Sequence, residues 1–206
     1  MGQAQEDVQI GRMRSAKVVR ETGETKVEAE LNLDGRGESE INTPLKFLNH
    51  MLGNLAKHSG FDLKIKASGD VEVDDHHLVE DAGICLGEAL LKALGDKKGI
   101  NRMAHSIVPM DDSKAEVSVD LSGRPYAVID LPFSEFTEKR VGDVSKENIE
   151  HFLESFALNG RFNLNVKAEG RNDHHKVEAT FKALAKALRE ATRVTSKTIP
   201  SAKGVI

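Results

Sequence analysis

One motif occurs twice in this chain in nearly the same words, and it constrains the fold more than any other feature. Asp75-His76-His77-Leu78-Val79-Glu80 and Asp173-His174-His175-Lys176-Val177-Glu178 both read D-H-H-x-V-E. The chain has eight histidines, and four of them stand in these two pairs. Matching the halves outward extends the repeat, a check that an accidental motif fails. Phe61 to Gly69 lines up with Phe162 to Gly170, each alternating apolar and polar as a half-buried strand does. In that register His50 falls on His151, Leu33-Asp34-Gly35-Arg36 on Leu121-Ser122-Gly123-Arg124, Glu24 on Asp112 and Arg14 on Arg102. Six of the eight histidines thereby have a counterpart, and His58 and His105 are left without one. The halves differ mainly by an insertion around Phe133 to Lys146, which a surface loop tolerates.

The 206 residues suffice for one good-sized core shared by two halves, so we expect a single domain of two repeats, about 1–97 and 98–206. Charged residues at 30% and hydrophobics at 39% fit a soluble globular chain, and no apolar run is long enough to span a bilayer. A net charge of -4, with basic residues mixed among acids, gives no support for nucleic-acid binding. The single cysteine, Cys85, rules out an internal disulfide; its neighbours Ile84, Leu86 and Ala89 predict a buried thiol. Residues Met1 to Glu6 carry neither an apolar signal segment nor a myristoylation hydroxyl. The expected compartment is the cytoplasm, or a plastid if a transit peptide has been removed.

Each half reads as strands, a helix bearing the lone histidine, another strand, then a helix opened by the His-His pair. Asp75 and Asp173 are placed to cap these last helices, and Gly95 to stop the first of them. One side of that helix carries Leu78, Cys85, Leu86, Ala89, Leu90 and Ala93; its counterpart carries Val177, Phe181, Leu184, Ala185 and Leu188. Thr43-Pro44 predicts the start of the helix bearing His50, and Ser145 the cap of the helix bearing His151. One-sided helices alternating with strands predict an α+β fold of internally duplicated halves, with two mostly antiparallel four-stranded sheets sandwiching a helical layer.

Helical geometry limits which ligands can share an ion. His77 and Glu80, like His175 and Glu178, are three apart and lie on one face. Adjacent residues differ by about 100° around the axis, so His76 and His77 point to different places and each pair serves two metals. Spacing leaves His76 with Glu80, four apart, equally open. Imidazole and carboxylate without thiolate suit a first-row metal such as Mn, Fe, Co, Ni or Zn. A polar helix cap on a solvated face would explain one such motif; it does not explain two with His50 and His151 in register.

In order along the chain, Arg20 to Thr25, Leu33 to Gly37, Phe47 to Leu52, Asp75 to Asp81, Pro109 to Asp111, Gly123 to Pro125, Asn172 to His175 and Pro200 to Gly204 closely resemble the imidazoleglycerol-phosphate dehydratases, histidine-biosynthesis enzymes built as two similar halves. The resemblance covers almost the whole chain. It implies two manganese ions per active site, one held by His50, His77, Glu80 and His174 and the other by His76, His151, His175 and Glu178. It also implies phosphate contacts from Arg102, Arg124, Ser201 and Lys203, and a substrate contact from Glu24, the candidate general acid/base. Asp112 is expected to support a ligand, Asp111 a turn, and Arg14 and Arg36 the structure. The reaction implied is a hydro-lyase step that turns imidazole glycerol phosphate into imidazole acetol phosphate and water through a metal-stabilised imidazolate, whose electrons expel the neighbouring hydroxyl. The resemblance further implies a homo-oligomer of 24 subunits with sites at subunit contacts. A metal-storage protein would need no phosphate set, and a metallohydrolase would have no reason to bind an imidazole ring.

Overall fold

The computed structural model describes residues 14–204; the amino-terminal residues read above for targeting signals lie outside the described residues. The first half comprises β1 (Ser15–Glu21), β2 (Thr25–Asn32), β3 (Ser39–Asn42), α1 (Lys46–Ser59), β4 (Asp62–Gly69) and α2 (His76–Leu94). The second comprises β5 (Met103–Met110), β6 (Ser113–Asp120), β7 (Tyr126–Asp130), the small hairpin β8 (Arg140–Val141) and β9 (Val144–Ser145), α3 (Lys146–Asn159), β10 (Asn163–Glu169) and α4 (Asp173–Thr192). The sheets repeat one topology, β1-β2-β4-β3 and β5-β6-β10-β7. All pairings within them are antiparallel except β3 with β4 and β7 with β10. This is the duplicated α+β fold expected, and the insertion of the second half forms the β8–β9 hairpin.

Alternation decides the faces of the strands. In β2, Thr25, Val27, Ala29 and Leu31 point inward, and in β6 Ser113, Ala115, Val117 and Val119 do the same. Against these faces lie α2 and α4, with α1 packed on α4 and α3 on α2, so the helical layer between the sheets is built from both halves. Cys85 and the apolar residues expected on the inner faces of α2 and α4 are all buried. Helices α2 and α3 approach closely at Gly83 and Gly87: a Cβ on Gly87 would stand 2.6 Å from the Phe156 carbonyl oxygen.

The helix starts depart from expectation in an informative way. Helix α1 begins at Lys46, after Thr43-Pro44, because the Thr43 hydroxyl accepts from Leu45 N–H and closes a turn there. Its first free N–H groups, on Lys46 and Phe47, donate instead to Asp143 of the other half, at 2.5 and 2.8 Å. Ser145 and Asp75 occupy the cap positions of α3 and α2, but neither side chain caps its own helix. The Asp75 carboxylate accepts from the N–H and hydroxyl of Ser145 at 2.7 and 2.6 Å, joining the two halves, while Asp74 accepts from His76 N–H. Helix α4 is capped by Asn172, which accepts from His175 N–H. Asp173 lies one residue inside, buried between Lys146 and Lys176 at 2.8 Å each. Burial alone would raise its carboxyl, but these ammonium groups, Thr137 and the Ser134 N–H hold it well below the usual range.

Candidate metal and active site

Three side-chain groups bring together the histidines and acids singled out by the repeat. His50 of α1 meets His174 and Glu178 of α4; His151 of α3 meets His76 and Glu80 of α2. In each trio one ligand atom per residue lies within 4.8 Å of the others. The trios are repeat images of each other, and each takes its residues from both halves because α1 packs on α4 and α2 on α3. In the first, Glu178 Oε2 is 3.3 Å from His174 Nε2 and 3.8 Å from His50 Nε2. In the second, Glu80 Oε1 is 3.3 Å from His151 Nε2, and the His76 and His151 rings stack at 4.8 Å. Two ligand atoms at right angles on one ion stand roughly 3 Å apart, so these spacings suit a small metal.

Within one chain, therefore, each glutamate sits with the histidine four residues before it, not three. Glu178 joins His50 and His174, and Glu80 joins His76 and His151, a different partition from the one the resemblance implies. The second histidine of each pair lies elsewhere: His77 Nδ1 is 3.1 Å from Asp70 Oδ2, and His175 Nδ1 is 2.5 Å from Asp112 Oδ1. The third group is Glu24, Asp70 and His77.

Hydrogen bonding indicates which ring nitrogen is offered. An ionised carboxylate only accepts, so Nδ1 carries the proton in His77 and His175 and Nε2 keeps the lone pair. His76 Nδ1 likewise engages the buried Asn148 amide at 3.1 Å. His151 Nε2 is buried with no hydrogen-bond partner, a polar atom that a metal would satisfy. The donor set is nitrogen and oxygen throughout, so the residues fit a first-row divalent ion.

The electrostatics follow from these contacts. Hydrogen bonding to Asp70 raises the His77 imidazole pKa. His175, with the N–H groups of Arg171 and Asn172, holds the Asp112 carboxyl far below its ordinary range. Burial would raise Glu178, but Lys182, 2.8 Å away, outweighs it and keeps the carboxyl below its ordinary value.

Glu24 is exposed in the β1–β2 turn, with Oε2 3.6 Å from His77 Nδ1. The turn is fixed to α2 by buried Asp81, which accepts from the Thr25 hydroxyl and from Arg20 Nε. Arg102 forks onto Asp120 at 2.7 and 3.0 Å and donates Nη1 to the Pro200 carbonyl at 2.9 Å, which ties it to the loop carrying Ser201 and Lys203. That leaves one N–H uncommitted on each terminal nitrogen. Ser201 uses its hydroxyl to accept from Lys203 N–H, and the side chains of Lys203 and Arg124 form no ion pair among the described residues. A cleft of about 620 Å³ opens beside His174, bordered by Asp112, Arg171 and Arg140. A groove of like volume crosses the outer face of the second sheet, lined by Met103 and Tyr126 and away from every trio. Asp70 and Asn148 are the site residues that sequence reasoning missed.

The family profile described as Imidazoleglycerol-phosphate dehydratase matches residues 43–188. The Methanothermobacter thermautotrophicus protein of that name is 55% identical over 192 residues, covering 93% of this chain and 97% of its own. That of Desulforudis audaxviator is 54% identical, covering 94% and 98%. The solved dehydratase from Pyrococcus furiosus superposes with a TM-score of 0.79 at 37% identity, covering 92% of this chain and 100% of its own. That from Staphylococcus aureus gives 0.77 at 36%, covering 88% and 99%. With the paired histidine trios, the free glutamate beside them and a match along nearly its whole length, this chain belongs to the imidazoleglycerol-phosphate dehydratase family.

Proposed function

We propose that the chain dehydrates imidazole glycerol phosphate to imidazole acetol phosphate at a site holding two manganese ions. The observation that carries this reading is the mirrored pair of trios, His50–His174–Glu178 and His76–Glu80–His151, with His151 Nε2 buried 3.3 Å from Glu80 Oε1 and making no hydrogen bond. His77 and His175 belong to neither trio and commit Nδ1 to Asp70 and Asp112, with Asp111 Oδ2 3.6 Å from His175 Nε2; on this reading they are the remaining ligands, supplied to trios of neighbouring copies. On this reading the active protein is a homo-oligomer, and the 24-subunit assembly implied by the resemblance would satisfy it. Bound ions would supply Lewis acidity that draws negative charge onto the ring nitrogens.

The chain's own residues do the rest. Arg102, Arg124, Ser201 and Lys203 hold the phosphate, Arg102 through the two N–H groups that Asp120 and Pro200 leave uncommitted. Glu24 Oε2 takes the proton from the carbon next to the one that loses its hydroxyl, and the exposed turn gives it room to reach. The test is ketone formation from imidazole glycerol phosphate with manganese and after chelation. Turnover should require the metal, and undiminished turnover by chelated protein free of manganese would overturn the reading. Glu24→Gln should keep the metal content and lose roughly 100-fold or more in kcat; near-normal kcat would remove Glu24 from the chemistry.

A further inference from the structure

The two halves treat the same acid differently. In the second half Asp112 is fully committed: Oδ1 accepts from His175 Nδ1 at 2.5 Å, and Oδ2 from the N–H groups of Arg171 and Asn172 at 2.8 and 2.9 Å. Its repeat counterpart, Glu24, stands 3.6 Å from His77 Nδ1, and its side chain is 56% exposed against 20% for Asp112. Asp70 makes the difference. It accepts from His77 Nδ1 at 3.1 Å, doing for His77 what Asp112 does for His175. Counted from the matched glycines Gly69 and Gly170, the second half has Arg171 in its place. Asp70 opens the connection from β4 to α2, residues 70–75, whereas the connection from β10 to α4 runs only 170–172. The longer connection supplies a second acid, and the shorter one supplies two N–H groups that tie the first acid down.

We propose that Asp70 is a positioning residue for the dehydration: it fixes His77 with Nε2 outward as the ligand and thereby releases Glu24 to act on substrate. This rests on the manganese-dependent reading above. Without Asp70, the nearest acceptor for His77 Nδ1–H is Glu24, so its loss both loosens a ligand and captures the acid.

The experiment compares Asp70→Ala, Asp70→Asn and Asp70→Glu with the parent protein by manganese titration, thermal melting with and without manganese, and steady-state kinetics. Asp70→Ala is expected to weaken manganese binding roughly 10–100-fold, as loss of a carboxylate behind a ligating histidine does. It should also lower kcat with little change in KM, because the phosphate contacts are untouched. Melting of the metal-free protein should stay near the parent value while the manganese-induced rise shrinks. Asp70→Asn, nearly isosteric, should retain part of the binding, and Asp70→Glu should restore most of both. Unchanged manganese affinity and kcat in Asp70→Ala, in a parent whose turnover needs manganese, would overturn the role of Asp70 alone. Loss of metal-free stability equal in all three variants would make Asp70 merely structural and would overturn it as well. A parent with no manganese requirement would instead defeat the functional reading beneath it.

Discussion

At the scale of single residues, buried Cys85 yields a pH-dependent prediction. Burial is the main cause that pushes its thiol from 9.0 up to about 11. The folded chain therefore holds this proton more tightly than the unfolded one, so the stabilising contribution is intact below pH 9 and is lost as pH rises toward 11. The slope is at most about 1.4 kcal/mol per pH unit. Denaturant titrations between pH 8 and 11 should show this fall in the parent and a shallower one in Cys85→Ala; identical slopes would contradict the assignment. Thiol reagents at pH 7 should react only with the unfolded chain. The histidines that the fold gathers into trios were legible in the sequence because the repeat marks them twice, and the burial of Cys85 because its neighbours are apolar. Asp70 was not legible: its position in the second half is held by Arg171, so the repeat, which marks matched residues, could not flag it. The grouping of Glu80 with His76 within one chain was equally out of reach, since residues three and four apart share a helix face and spacing alone does not choose between them.

At the scale of elements, the two helix contacts between halves are the parts most sensitive to change. A methyl group on Gly87 would meet the Phe156 carbonyl and the Gly160 amide nitrogen at 2.6 and 2.7 Å, backbone atoms that cannot step aside. Gly87→Ala should cost about 1–3 kcal/mol by overpacking, read as a lowered denaturation midpoint, while Gly53→Ala, with open space around it, should not. Asp143→Ala removes the acceptor for the first N–H groups of α1 and should cost about 1 kcal/mol, the ordinary worth of a helix cap, although Asp143 lies in the other half of the chain. Strands and helices were readable from period and apolar face, as β2 and α2 illustrate. The caps were not, because Asp75, Asp143 and Asp173 act across distances in sequence that local patterns do not register.

At the scale of the whole molecule, His77 and His175 lie outside both trios, so the protein is expected to run in solution far above the 22.5 kDa of one chain. Light scattering on the manganese-loaded protein should find this large species, and His175→Ala should shift it toward smaller ones; a monomer with full activity would contradict the shared-ligand arrangement. The crossing of α1 onto α4 and of α2 onto α3 has a consequence in evolutionary terms. A half-length ancestor could have formed either trio only by pairing with a second copy of itself, and its two trios would then have been identical. Any change to one acid would have changed both. Two copies joined in one gene are released from that symmetry, so the two connections can differ in length and the two acids in their contacts, as Glu24 and Asp112 do.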